Sequence, residues 1–300
     1  MNGDFEQQNL DRRLRLPELQ LFIERLMCHS VLQEERVLPT VSSLQSTLGA
    51  IILSSVSLRQ SVKDRILAAM VLMYHGLSMH QSMGDATQAQ GRRGQLTVLG
   101  GDFLSSMFYK LLAETERVDL IKAFSKAVAA VNVSRTAMHQ AQFNGQYGPE
   151  QYLADAHKVH GSLLLALCEA VHCNVQVKEL VEAAISSKVL DAELSRAANS
   201  ADMSLVNIML YEAATLEERV QFFSGDKNPS SHAVFEKRFR SLHSKYDTFF
   251  HLIHSFRQSI TQFQTLAIDM FGYDGWLQLQ RLFPSSSVFL RDGSTVVEGG

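Results

Sequence analysis

The sequence is short of the residues that break helices, staple loops or cross membranes. Five prolines in 300 residues is a low count, and none lies deep inside a periodic apolar run, so long helices go uninterrupted. Three cysteines, Cys28, Cys168 and Cys173, are odd in number and lack CxxC spacing. That excludes a disulfide framework, and the three read as reduced thiols. The longest apolar runs, such as 66–74 and 163–168, fall far short of the roughly 20 residues that span a bilayer. The opening MNGDFEQQNLDRRLRL lacks the apolar segment of a signal peptide. A cytoplasmic protein with no transmembrane segment is expected. Charge of one sign is not in excess either: 28 basic residues face 31 acidic ones, for a net charge of −3. This argues against a nucleic-acid partner. Nowhere are two aspartates adjacent.

What is present is apolar content of 46%, ample for a core, arranged with helical periodicity almost throughout. Residues 1–16 read as a flexible lead. Pro17 suits the first turn of a helix running to about residue 36. Further helices are expected over about 40–58, 61–83, 98–115, 117–144 and 149–172, then as short pieces over 175–186 and 189–199, and again over 203–223. Residues 232–271 read as one long helix or a kinked pair, with 272–283 closing the bundle around Trp276. Polar, glycine-bearing stretches at 84–95, 145–148 and 225–231 read as loops. No repeat or linker divides the chain, so one all-α bundle over 17–283 is the simplest architecture. In the tail 284–300, Asp292-Gly293 between β-branched and aromatic residues signals a hairpin, which must dock or stay disordered.

The most informative stretch is RRGQLTVLGGDFLSSMFYKLLA, residues 92–113. A basic, glycine-flanked turn leads to Thr97, which reads as a helix N-cap. Leu99, Phe103, Leu104, Met107, Phe108, Leu111 and Leu112 then outline a broad apolar face. Gly100 and Gly101 inside that helix each cost roughly 1 kcal/mol against alanine. Gly101 and Ser105 form a small-residue stripe to which another helix can come close. Asp102, Ser106 and Tyr109 make a polar line, and a buried Asp102 requires a partner or a wet cavity.

This stretch resembles the signature of the small, first component of two-component heptaprenyl (or hexaprenyl) diphosphate synthases, which make the isoprenoid side chain of menaquinone. The wider trans-prenyltransferase superfamily has a related RRG…T…GD segment. The resemblance implies the all-α isoprenoid-synthase fold and a catalytic prenyl diphosphate synthase chain as partner. It also implies condensation of isopentenyl diphosphate onto farnesyl diphosphate by the complex, with the polyprenyl diphosphate held there; self-association of the lone chain is compatible with it. Catalytic relatives hold Mg²⁺ with two DDxxD motifs, because a hard cation wants several carboxylates on one face. Here the segment upstream of Arg92 reads His75-Gly76-Leu77-Ser78-Met79-His80, and Asp191 and Asp202 stand alone. The resemblance therefore places Mg²⁺ in the partner, with no cofactor or catalytic residue in this chain. Arg92 and Arg93 match the RRG that contacts diphosphate in relatives, and a solvated basic turn is the plainer alternative.

Two readings of other classes stay open. His243, Asp247, His251 and His254 fall at i, i+4, i+8 and i+11 on one expected helix, a candidate metal face. His157 and His160 are a turn apart, and Glu169 with His172 forms a single ExxH where a di-iron bundle needs two. An amphipathic polar face explains all of these without a metal. The third reading is a helical scaffold or regulator unrelated to isoprenoids.

Overall fold

The computed structural model describes residues 10–82, 91–141, 147–197, 204–223 and 232–285. Among these residues there are thirteen helices and no strand: α1 (Leu10–Arg13), α2 (Leu16–Met27), α3 (Ser30–Glu34), α4 (Ser43–Ser54), α5 (Gln60–Ser82), α6 (Arg92–Ala113), α7 (Val118–Ala141), α8 (Pro149–Val171), α9 (Val175–Ala197), α10 (Leu205–Ala213), α11 (Leu216–Phe223), α12 (His232–Lys245) and α13 (Thr248–Gln280). The all-α expectation is met. The hairpin expected over 288–298 and the loop over 225–231 lie outside the described residues. None of the described helices is long and apolar enough to cross a membrane.

Contacts gather into two compact units. The first comprises Met1–Ala129, Ser162–Val181 and Met270–Gln278; the second comprises Ala130–Gly161, Glu182–Asp269 and Leu279–Gly300. The first unit is organised around α5. From Ile66 to Met73 every residue of that helix is buried, because α2, α4 and α6 all pack on it. Helix α4 is buried from Leu44 to Leu53, and Phe108 of α6 meets Phe124 of α7 edge to face. The core of the second unit includes Tyr152, Ile185, Leu210, Phe256, Ile260, Phe263 and Phe283. There Gly161 of α8 lies so close to α9 that an added Cβ would sit 2.6 Å from Ile185 Cδ1.

Several boundaries differ from those expected, each for a local reason. Leu10 is buried and opens the short helix α1, so residues 10–13, expected in a flexible lead, are helical. The helix expected over 17–36 is two, because Cys28 and His29 are extended between α2 and α3. Helix α9 is continuous where a break was expected near 187. Its Ser186 and Ser187 hydroxyls donate to the carbonyls of Glu182 and Ala183, so they do not compete with the helix. Conversely, 203–223 divides into α10 and α11 at a capping box. Thr215 Oγ1 accepts from Glu218 N, and Glu218 Oε2 accepts from Thr215 N. Gly272, with φ 73°, bends α13 where a boundary had been expected.

Candidate functional site

Helix α6 begins at Arg92, five residues before Thr97. Gly91, in the left-handed region at φ 90°, starts it, and Thr97 lies inside, its Oγ1 donating to Arg93 O at 2.9 Å. The stripe of small residues does what its composition promised, and its partner is α5. A Cβ on Gly76 of α5 would lie 2.8 Å from Ser105 Oγ and 3.0 Å from Gly101 O. A Cβ on Gly100 would meet Met79 Cε at 2.5 Å, and one on Gly101 would meet the His80 ring at 2.8 Å. Glycine therefore stands on both sides of the crossing, and the close approach offsets its helix penalty.

The apolar face of α6 is narrower than its sequence suggested. Gly100, Gly101, Leu104, Phe108, Leu111 and Leu112 are buried, whereas Leu99 is 58% exposed. Asp102, Ser106 and Tyr109 lie on the solvent side. A buried Asp102 is thus contradicted: its side chain is 65% exposed, 3.4 Å from His80 Nε2. The periodicity assigned Leu99 to the wrong face, and the polar line with it. Asp102→Ala should accordingly shift stability by no more than about 0.5 kcal/mol; a larger loss in thermal melting would mean that this pair is coupled to the crossing beneath it.

Arg92 and Arg93 stand at the exposed start of α6. Arg92 Nε pairs with Glu35 at 3.0 Å, and Arg93 donates to Arg36 O at 3.4 Å. On α5, in the segment upstream of Arg92, His75 is buried and its Nε2 accepts from Ser42 N at 3.1 Å. Burial lowers its pKa to about 4, so the ring is neutral and braces the start of α4. A neutral buried imidazole with a half-exposed His80 does not supply the oxygen set that Mg²⁺ requires.

The proposed His243–His254 face does not exist as one helix. Asp247, at φ 50°, separates α12 from α13. His243 is buried and shares a 2.7 Å hydrogen bond with Thr248 Oγ1, while His251 and His254 are exposed. Among the described residues no group of three or more His, Cys, Asp or Glu side chains is placed to hold a metal ion.

Three buried acids in the second unit went unnoticed in the sequence or seemed isolated there. Asp155 accepts from Ser134, Tyr147, Gln151 and Lys158. Burial pushes its pKa up, but these donors outweigh it and lower the value to about 2. Glu193 accepts from Tyr152 OH at 2.7 Å, Arg196 at 3.0 Å and Leu205 N at 2.7 Å. Burial and then the Glu193 charge raise the Tyr152 pKa, keeping the phenol protonated as a donor. Asp191 accepts from Lys188 and from Ser285 N. Each carboxylate serves the fold. The only sequence signal was i, i+3 or i, i+4 spacing to Gln151, Lys158, Lys188 and Arg196; the distant partners left none.

Comparison with known proteins identifies the family. The family described as heptaprenyl diphosphate synthase (HEPPP synthase) subunit 1 matches residues 29–238, well over half of the chain. This chain belongs to the heptaprenyl diphosphate synthase subunit 1 family. Heptaprenyl diphosphate synthase component 1 of Geobacillus stearothermophilus is 33% identical over 88 residues, a stretch covering 29% of this chain and 40% of that relative's length. The fold of this family member is that of the isoprenoid synthases. A polyprenyl synthase from Roseobacter denitrificans superposes with a TM-score of 0.68 over 95% of this chain and 98% of its own, at 13% identity. A decaprenyl diphosphate synthase from Rhodobacter capsulatus gives 0.68 over 92% and 99%, also at 13%. A geranylgeranyl pyrophosphate synthetase from Pyrococcus horikoshii gives 0.67 over 92% and 98%, again at 13%.

Proposed function

We propose that this chain is the non-catalytic, regulatory component of a two-chain long-chain prenyl diphosphate synthase in the cytoplasm. A catalytic partner supplies the paired acids and Mg²⁺, and the complex condenses isopentenyl diphosphate onto farnesyl diphosphate toward the heptaprenyl side chain of menaquinone. One observation carries the reading. In an isoprenoid-synthase fold, the described acids that are buried already accept from protein donors, and the segment of α5 upstream of Arg92 presents His75 and His80 in place of aspartates. A carboxylate committed to several donors is a poor ligand for a hard cation, and without one the leaving diphosphate goes unneutralised. Arg92 and Arg93, exposed at the start of α6, are the residues through which this chain would reach a diphosphate in the complex, arginine's planar fork suiting that anion. A self-sufficient metalloenzyme is disfavoured by the break at Asp247, and a scaffold unrelated to isoprenoids by the family to which the chain belongs.

The purified chain, given both diphosphates and excess Mg²⁺, should form no polyprenyl product, and adding the catalytic component from the same source should restore turnover. Robust synthesis by the lone chain, followed with radiolabelled isopentenyl diphosphate, would overturn the non-catalytic assignment.

A further inference from the structure

We infer that residues 288–291 of the C-terminal tail dock in a cleft of the second unit, Phe289 on its apolar floor and Arg291 at its acidic rim. The cleft, of about 320 Å³, lies among α8, α9, α10 and the start of α13. Leu190, Leu205 and Leu252 are buried in its floor, with Leu153 and Met209 half-buried beside them. Glu150 and Glu212 stand exposed in its lining. Among the described residues no ion pair engages either carboxylate. Lys245 is taken by Glu218 at 2.8 Å, Arg219 lies over the Tyr211 ring at 4.9 Å, and neither lines the cleft. The lining holds no Lys or Arg, and His251 is its one basic side chain. An apolar cleft with two carboxylates at its edge selects an apolar group that carries a cation.

Reach and composition choose the tail as that group. Ser285, the last described residue, donates its backbone N–H to Asp191 Oδ1 at 3.0 Å. Just before it, Phe283 is buried and packs on Phe263 with ring centroids 5.2 Å apart. Asp191 directly follows Leu190 of the cleft floor, so the chain is anchored on α9 beside the cleft. Phe289 comes four residues later, roughly 13 Å of extended chain. The segment reads Ser286-Ser287-Val288-Phe289-Leu290-Arg291, an apolar run closed by a cation. In an extended chain positions 289 and 291 share one side, about 7 Å apart. An apolar cavity of roughly 150 Å³ accepts benzene, so the Phe289 ring fits. The same contact supplies the docking surface that a hairpin at Asp292-Gly293 requires. The inference rests on the second unit and not on the prenyl-transfer reading; either can fail alone.

The test is photo-crosslinking in the full chain carrying p-benzoylphenylalanine in place of Phe289, with the products mapped by mass spectrometry. Crosslinks to cleft residues of the same chain, Met209 and Leu252 foremost, are expected. Mixing heavy- and light-isotope protein separates same-chain from between-chain products. Arg291→Glu brings a third acid to the rim and should lower the same-chain yield about fivefold. Adding Glu150→Lys and Glu212→Lys to that variant should restore most of the yield, and both glutamates are exposed, so the reversal leaves the fold intact. Four outcomes overturn the inference: crosslinks that map outside the cleft, crosslinks between chains, an unchanged yield in Arg291→Glu, or no recovery on charge reversal. The second would assign the cleft to the tail of another copy.

Discussion

Gly76→Leu should destabilise the protein by roughly 3 kcal/mol or more, because a side chain there has nowhere to go. Even the first carbon of that side chain would press on Ser105 Oγ at 2.8 Å and on Gly101 O at 3.0 Å. The second of these is backbone, which relieves the overlap only if α5 and α6 separate. Gly101→Ala makes the informative contrast. The atoms its Cβ would meet belong to His80, whose side chain is 39% exposed and can swing aside. The helix propensity gained, about 1 kcal/mol, then offsets much of the strain. Melting temperatures should fall steeply for Gly76→Leu and little for Gly101→Ala. Equal, small changes in both would mean that the two helices do not meet at Gly76.

Glu193→Ala should be of comparable size, about 3–5 kcal/mol, because it strands buried donors and leaves a cation without its counter-charge. Tyr152 OH, Arg196 and the amide of Leu205 all lose the same acceptor. The last of these ties the first turn of α10 to α9, so amide exchange at Leu205 should quicken even under native conditions. Glu193→Gln retains an oxygen for some of the donors and should cost about 1–3 kcal/mol. Chemical denaturation of the two variants gives the comparison. If Glu193→Ala unfolds no earlier than Glu193→Gln, the charge at this position is not what holds the network.

The sequence made the helical character legible because apolar spacing is a local signal, and it made the crossing legible because two glycines inside a helix demand a reason. It misplaced what depends on partners far along the chain. The face of α6 was drawn too wide because Leu99 and Leu104 look alike until a neighbouring helix covers one of them. The turn at Asp247 carried no glycine or proline, so four spaced polar residues looked like one face. The break before α11, by contrast, was written in Thr215 and Glu218, whose spacing is that of a capping box. Glu193 could not have been singled out, since Tyr152 and Leu205, 41 and 12 residues away, announce nothing about their meeting.

His75, His160 and His243 each have a pKa lowered to about 4, burial being the largest cause. At His160 the nearby charges of Arg196, Lys188, Arg135 and His157 add to it. An unfolded chain would carry protons on all three rings below about pH 6.5, so between that pH and about 4 folding must expel them. The sign follows from linkage: the unfolded state binds more protons in this window, so stability declines as pH falls through it and becomes insensitive to these rings below the native values. Urea midpoints should therefore drop between pH 7.5 and pH 5, and Asn in place of His75 should make that drop shallower. In this molecule the adoption of structure is itself an acid–base reaction that releases protons to the solvent.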